Sequence, residues 1–151
     1  MKKSKSEQLE MLKLPDAEIV FLDYVKKHIP CDEAQSEMFK LRNIKEILEV
    51  MTLQTFCMIT DEAMVKMFDL PNAKDFILWF VQLEPLCDEA VSRIFELPNA
   101  EDIFYEYAKR WVLSTEIQRQ ILKLPRAKEI LGACPKHFYM SEEIRNKLAE
   151  L

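Results

Sequence analysis

The amino-acid sequence predicts an all-α fold, about five and a half tandem helix pairs in 151 residues, on three observations. A short motif, Leu-Pro-[Asn/Asp]-Ala, returns with a period of 27 residues. Between its copies the apolar residues fall at helical spacing. The chain holds one glycine, Gly132, where average usage would give roughly ten, so hairpins that need positive φ have little to build them from.

The motif reads Leu14-Pro15-Asp16-Ala17, Leu70-Pro71-Asn72-Ala73, Leu97-Pro98-Asn99-Ala100 and Leu124-Pro125-Arg126-Ala127, and Leu41-Arg42-Asn43-Ile44 fills the gap as a degenerate copy. The leading leucines stand 27, 29, 27 and 27 residues apart, and a further step of 27 reaches Leu151. Ten residues before each marker comes a second pattern: Cys31-Asp32-Glu33-Ala34, Thr60-Asp61-Glu62-Ala63, Cys87-Asp88-Glu89-Ala90, Ser114-Thr115-Glu116-Ile117 and Ser141-Glu142-Glu143-Ile144. The opening Ser4 to Leu14 fits the same template. The expected organisation is a single helical-repeat domain, 1–151, with a half repeat at 4–14 and repeats at 14–40, 41–69, 70–96, 97–123 and 124–151. That gives eleven helices, the first near 5–13 and the last near 142–150, and no sheet.

The half repeat is a helix of the second kind, started by Ser4 with Leu12 and Leu14 in its apolar slots. In each whole repeat the first helix follows the marker. Proline there ends the preceding helix, because the residue before it is pushed out of the α region. Asp16, Asn43, Asn72 and Asn99 are placed to accept an orphan backbone N–H, and Glu46, Asp75 and Asp102 suit a capping box. The apolar places then run at i, i+3/4 and i+7, as in Ala17, Val20, Phe21, Tyr24 and in Ala100, Ile103, Phe104, Tyr107. Second helices start at natural N-caps, Thr60, Ser114 and Ser141, with acids in the first turn where the macrodipole favours them. Pro30, Pro85 and Pro135 interrupt the chain near these starts. Their stripe is clearest in Ala63, Met67, Phe68, Leu70 and in Ala90, Ile94, Phe95, Leu97, with Phe39, Phe68 and Phe95 filling the space between stacked helices. Gly132 and Pro135 shorten the first helix of the last repeat. Helices of about 10–12 residues, some 15–18 Å long, are expected.

A helix pair this short cannot bury its own apolar face and must stack on its neighbours. In this the chain resembles the α-solenoid superfamily of HEAT-like and armadillo-like repeats over essentially its whole length, although a 27-residue unit is shorter than the ~40–47 of those families. The resemblance implies a right-handed α-solenoid, an α-α superhelix, that presents a curved surface to a partner.

Candidate site residues lie off the apolar stripes. Counted from each marker leucine, the eighth position falls opposite the core stripe of the first helix and holds Leu22, Glu49, Leu78, Tyr105 and Gly132. Three of these are bulky and apolar where solvent is expected, Trp79 adjoins them, and Lys26, Lys109 and Lys136 come four residues later. Leu22, Leu78, Trp79 and Tyr105, rimmed by Lys109, therefore form the expected partner surface, since an apolar patch with a charged rim marks an interface. The acids opening the second helices, Asp32/Glu33, Asp61/Glu62, Asp88/Glu89, Glu116 and Glu142/Glu143, form a ladder that could attract a basic partner. First-turn acids also serve the helix itself, at about 0.3–1 kcal/mol each. Glu62–Lys66, Glu89–Arg93 and Glu143–Lys147 have the favourable i,i+4 spacing.

Chemistry is expected to be absent. His28 and His137 sit four repeats apart, and Cys134 near His137 lacks a third group to orient a base. Cys31, Cys57, Cys87 and Cys134 form no C-x-x-C pair and read as structural thiols. There is no G-x-G-x-x-G, Walker, H-E-x-x-H or EF-hand motif, so no catalytic residue, metal or cofactor is assigned. A formal charge of −5 has the wrong sign for phosphate backbones. No stretch approaches the ~20 apolar residues of a membrane span, and no signal-peptide h-region follows the basic start, so a cytoplasmic, soluble monomer is expected. The leading function is a non-catalytic scaffold for a protein or peptide partner. The alternatives are a specific inhibitor or immunity-type protein, and a nucleic-acid-binding or base-processing HEAT-like protein, which would need Lys and Arg gathered on one face.

Overall fold

The computed structural model describes residues 1–54 and 59–151; Cys57 lies outside the described residues. Those residues hold eleven α-helices and no strand. The helices are α1 (Lys5–Met11), α2 (Ala17–Val25), α3 (Asp32–Glu37), α4 (Ile44–Gln54), α5 (Asp61–Lys66), α6 (Ala73–Phe80), α7 (Asp88–Arg93), α8 (Ala100–Arg110), α9 (Thr115–Ile121), α10 (Ala127–Gly132) and α11 (Glu142–Ala149). Odd-numbered helices up to α9, and α11, are of the second kind; the even-numbered ones follow the markers.

The second helices are shorter than the 10–12 residues expected. After six α residues, α3, α5 and α7 tighten into 3₁₀ turns at Met38–Lys40, Met67–Asp69 and Ile94–Glu96. Leu41, Leu70 and Leu97 then turn extended, with ψ between 141° and 146°. Two of these precede proline, where the α region is closed by the ring. The serine and threonine caps form as expected: Ser4, Thr60, Ser114 and Ser141 accept from the N–H groups of Glu7, Ala63, Ile117 and Ile144 at 3.2–3.3 Å. Ser4 completes a capping box with Glu7.

The Asx residues of the markers do something else. Asp16, Asn72 and Asn99 hold φ between −107° and −104° and ψ between 26° and 32°, and their side chains cap nothing. Two of the marker asparagines, Asn43 and Asn99, bond the previous repeat instead. Asn43 Nδ2 donates to the Glu18 carbonyl at 2.9 Å, and Asn99 Nδ2 donates to the Lys74 carbonyl at 3.2 Å. Their Oδ1 atoms, the expected acceptors, are buried without a partner.

The chain packs as two compact units, Met1–Leu70 and Pro71–Leu151, divided at a marker leucine. In the first unit α2 packs beside α4, while α1, α3 and α5 pack side by side. Phe21, Met38, Ile47, Leu48 and Met67 are its fully buried large side chains. In the second unit α8 lies between α6 and α10, and α9 packs beside α11. Its core holds Phe76, Phe80, Ile94, Ile103, Phe104 and Ile121. Phe39 and Phe68 are buried as expected, whereas Phe95 is half-buried, stacked 4.5 Å from Phe104.

Three glutamines, Gln8, Gln35 and Gln118, are buried at the fourth residue after a second-helix cap, and two of them, Gln8 and Gln35, join one repeat to the next. Gln8 Nε2 donates to the Lys3 carbonyl and its Oε1 accepts from the Cys31 N–H, both at 2.8 Å. Gln35 repeats the clamp, to the Pro30 carbonyl at 3.1 Å and from the Thr60 N–H at 2.9 Å. Gln118 keeps the first bond, to the Leu113 carbonyl at 2.8 Å, but its Oε1 is buried without a partner.

Candidate interaction surfaces

Leu22, on α2, is half-buried rather than exposed. Lys26, one turn on, is exposed and pairs with Asp23 at 3.1 Å. In the second unit Leu78 and Tyr105 occupy the same register on α6 and α8, which pack together, and both are half-buried. Trp79 is half-buried as well, its ring 5.4 Å from Phe76 and 6.4 Å from Phe80. The expectation of full exposure is thus corrected at four positions: first helices lie flank to flank, so the side opposite the core also meets neighbours. Lys109 is exposed; its ammonium stands 4.9 Å over the Tyr105 ring and 2.9 Å from Glu106. Glu49 and Gly132 complete the register as exposed, non-apolar positions.

The rim is made of paired charges. Glu106 accepts from both Lys109 and Arg110, which hold its carboxyl below the usual range, the Lys109 bond first. Trp111, half-buried beside this pair, donates its indole N–H to the Val81 carbonyl at 2.6 Å, while Val112 next to it is exposed. Sequence reading missed Trp111 and Val112. Their signal was available, because they extend the α8 segment beyond the aromatic register.

The acidic ladder is partly consumed by the fold. Glu33 pairs with Lys5 at 2.5 Å, and Glu143 with Arg119 at 3.0 Å, each reaching the preceding second helix. Of the three i,i+4 pairs expected, Glu143–Lys147 closes at 2.9 Å. Arg93 turns instead to Glu96 at 3.3 Å, and Glu62–Lys66 is not among the ion pairs of the described residues. The Arg119 and Lys147 bonds pull the Glu143 carboxyl down to about 2.

His28 packs tilted against Tyr24 with ring centroids 4.9 Å apart, and the exposed His137 meets Phe138 edge-on at 4.6 Å. Cys31, Cys87 and Cys134 are half-buried thiols not joined in a disulfide, and burial pushes the Cys134 thiol up, toward its protonated form. Among the described residues no three His, Cys, Asp or Glu side chains gather to hold a metal ion. No helix of those residues is long and apolar enough to cross a membrane. No protein-family model, curated protein or solved structure matches this chain.

Proposed function

We propose that this chain is a non-catalytic, cytoplasmic helical-repeat scaffold, a right-handed α-solenoid of the HEAT-like kind, that binds another protein or a peptide through its first helices. The carrying observation is the group Leu78, Trp79 and Tyr105 on the paired helices α6 and α8, half-exposed, with the Lys109 ammonium over the Tyr105 ring. Tryptophan and tyrosine are the types most often found at binding hot spots, where truncation can cost about 2 kcal/mol or more. Leu22, with Lys26 beside it, repeats the pattern on α2 of the other unit. A protein partner fits better than nucleic acid, because the cations of the surface, Lys109 and Arg110, are already bonded to Glu106 and phosphate binding rests on free Lys and Arg.

The test is the double change Trp79→Ala and Tyr105→Ala, followed by thermal melt and by capture from a lysate of the native cell with mass spectrometry. A protein held by the wild type and lost by the variant, with the melt unchanged, supports the reading. Equal capture by both chains overturns it, and a much lower melt reassigns the two rings to the core.

A further inference from the structure

A cavity of about 640 Å³ opens between α1, α3 and α5 in the first unit. Its origin is a single register position. The fifth residue after the cap is Leu9 on α1 and Val65 on α5 but Ser36 on α3, so the middle helix carries the smallest side chain of the three and leaves a trough above it. Leu9, Leu12 and Leu41, all half-buried, line it with apolar surface. None of its lining side chains is fully buried. It is a surface groove rather than an enclosed small-molecule pocket with buried polar groups to fix a ligand. The six α residues of α3 and its 3₁₀ turn run about 15 Å along the groove, two to three turns of helix.

Charge gives the groove a direction. Lys5 takes Glu33, Lys40 takes Glu37, and Glu10 takes Lys13 at 3.1 Å. What closes no ion pair among the described residues is Asp32 and Glu62 at the N-terminal ends of α3 and α5, and Lys66 one turn further along α5, whose charge, behind that of Lys40, also acts on Glu37. Glu62 and Lys66 stand at i,i+4, the spacing at which they could pair, yet do not pair with each other. Acid stands at one end and base at the other. An ordinary helix carries acids in its first turn and bases in its last; laid antiparallel to α3, it sets opposite charges together at both ends.

We propose that this groove seats an amphipathic helix of a partner protein, antiparallel to α3, with a leucine-sized side chain over Ser36, an acid at Lys66 and a base at Asp32 and Glu62. This is the helix-in-groove mode of recognition. A second copy of the chain is a poorer occupant. A two-fold axis that runs its helices antiparallel sets groove against groove, and one that runs them parallel sets acid against acid. The site is separate from the first-helix surface and does not rest on it.

The test uses the full chain and two fluorescein-labelled synthetic peptides of 14 residues, about four turns. Both carry leucines at i, i+3 and i+7 and a side-chain crosslink that fixes the helix; one has glutamates in its first turn and lysines in its last, the other the reverse. Fluorescence anisotropy should show the acid-first peptide binding about tenfold tighter, a difference of about 1.4 kcal/mol. Ser36→Trp should abolish that binding, the exchange Glu62→Lys with Lys66→Glu should invert the order of the peptides, and Trp79→Ala with Tyr105→Ala should leave it unchanged. Equal binding of both peptides, no binding of either, or an order the exchange leaves intact overturns the proposal. Circular dichroism checks the fold of each variant, and the charge exchange decides alone if Ser36→Trp melts lower.

Discussion

Replacing Gln35 by methionine tests the glutamine clamp, because methionine is nearly its volume and the chain itself places Met64 at the same register. Gln35 bridges the Pro30 carbonyl at 3.1 Å and the Thr60 N–H at 2.9 Å. Pro30 is buried, so its orphaned carbonyl costs about 1–3 kcal/mol; Thr60 is half-buried and its N–H can reach water, at about 1 kcal/mol. The thioether regains about 1 kcal/mol of apolar transfer. Gln35→Met should therefore destabilise by about 1–3 kcal/mol. Gln118→Met is the internal control. It loses one bond, to Leu113, but also removes an Oε1 that is already buried and unpaired, so the two contributions nearly cancel and the net change stays within about 1 kcal/mol.

Urea unfolding separates the two cases. Both tryptophans, Trp79 and Trp111, lie beyond Leu70, so indole fluorescence follows the second unit, which carries Gln118, while far-ultraviolet circular dichroism follows both. At an m-value of about 1–1.5 kcal/mol/M, the lower end of the small-domain range, Gln35→Met should lower the dichroism midpoint by roughly 0.7–3 M. Gln118→Met should leave the fluorescence midpoint nearly in place. A wild-type midpoint for Gln35→Met, or equal losses for both variants, would refute the clamp as a source of stability.

Phe68→Ala, deleting a buried ring, should destabilise by about 3–5 kcal/mol. Phe95→Ala should cost roughly half of that, because the ring is half-buried and its principal aromatic partner is Phe104; equal urea midpoints for the two variants would contradict the burial difference. Gly132 closes α10 without a positive φ, and a Cβ there would meet nothing within 4 Å, so Gly132→Ala should raise stability by about 0.5–1 kcal/mol in the same assay. Glu143 is bonded to Arg119 and Lys147 and its carboxyl is depressed to about 2. Its stabilising contribution is complete above the unfolded carboxylate value near 4.3 and is lost as pH falls through the folded one. The gap between wild type and Glu143→Gln should therefore close between about pH 4.5 and pH 2, and a gap that stays constant in midpoints taken across that range would show the pairs to be idle.

The repeat made the element count and the helix order legible, since marker, cap and apolar stripe all report the same register. What it hid were the joints. Asn43 and Asn99 sit where an N-cap belongs, and cap preference is a local rule; only the packed structure places a backbone carbonyl of the previous repeat within reach of Nδ2. Gln8, Gln35 and Gln118 share a register that can be read from the sequence, yet a glutamine on an α-helix is ordinarily a surface residue, and the two partners that Gln8 and Gln35 find come from different segments of the chain. Burial of the eighth-position residues was misjudged for a related reason. A helical wheel has one inner and one outer face, whereas a helix between two neighbours, as α8 is between α6 and α10, has two flanks that are partly covered.

The joints described above also explain why the surface is free to vary. Side-chain bonds that link two helices, such as those of Asn43, Gln35, Tyr107 and Trp111, span 21 to 30 residues, about one repeat, whichever chemistry makes them. Asparagine donates to a carbonyl, glutamine accepts from an N–H, and in the last repeat the Arg126 N–H donates to Glu101 at 2.7 Å while its guanidinium meets Asp102 at 2.5 Å. Bonds confined to adjacent repeats make stability a sum of nearest-neighbour contributions, so an outward position does not have to suit distant parts of the chain. The fifth position of the second helices runs Leu9, Ser36, Val65, Ser92, Arg119 and Asn146, and the eighth of the first helices runs Leu22, Glu49, Leu78, Tyr105 and Gly132. The slots that carry the apolar stripe keep their character better: the third after the cap runs Glu7, Ala34, Ala63, Ala90, Ile117 and Ile144 and the eighth Leu12, Phe39, Phe68, Phe95, Leu122 and Ala149, apolar in every copy but Glu7. Residues that differ from repeat to repeat while the joints persist are where a partner can be specified without disturbing the fold, and both surfaces proposed above lie at those positions.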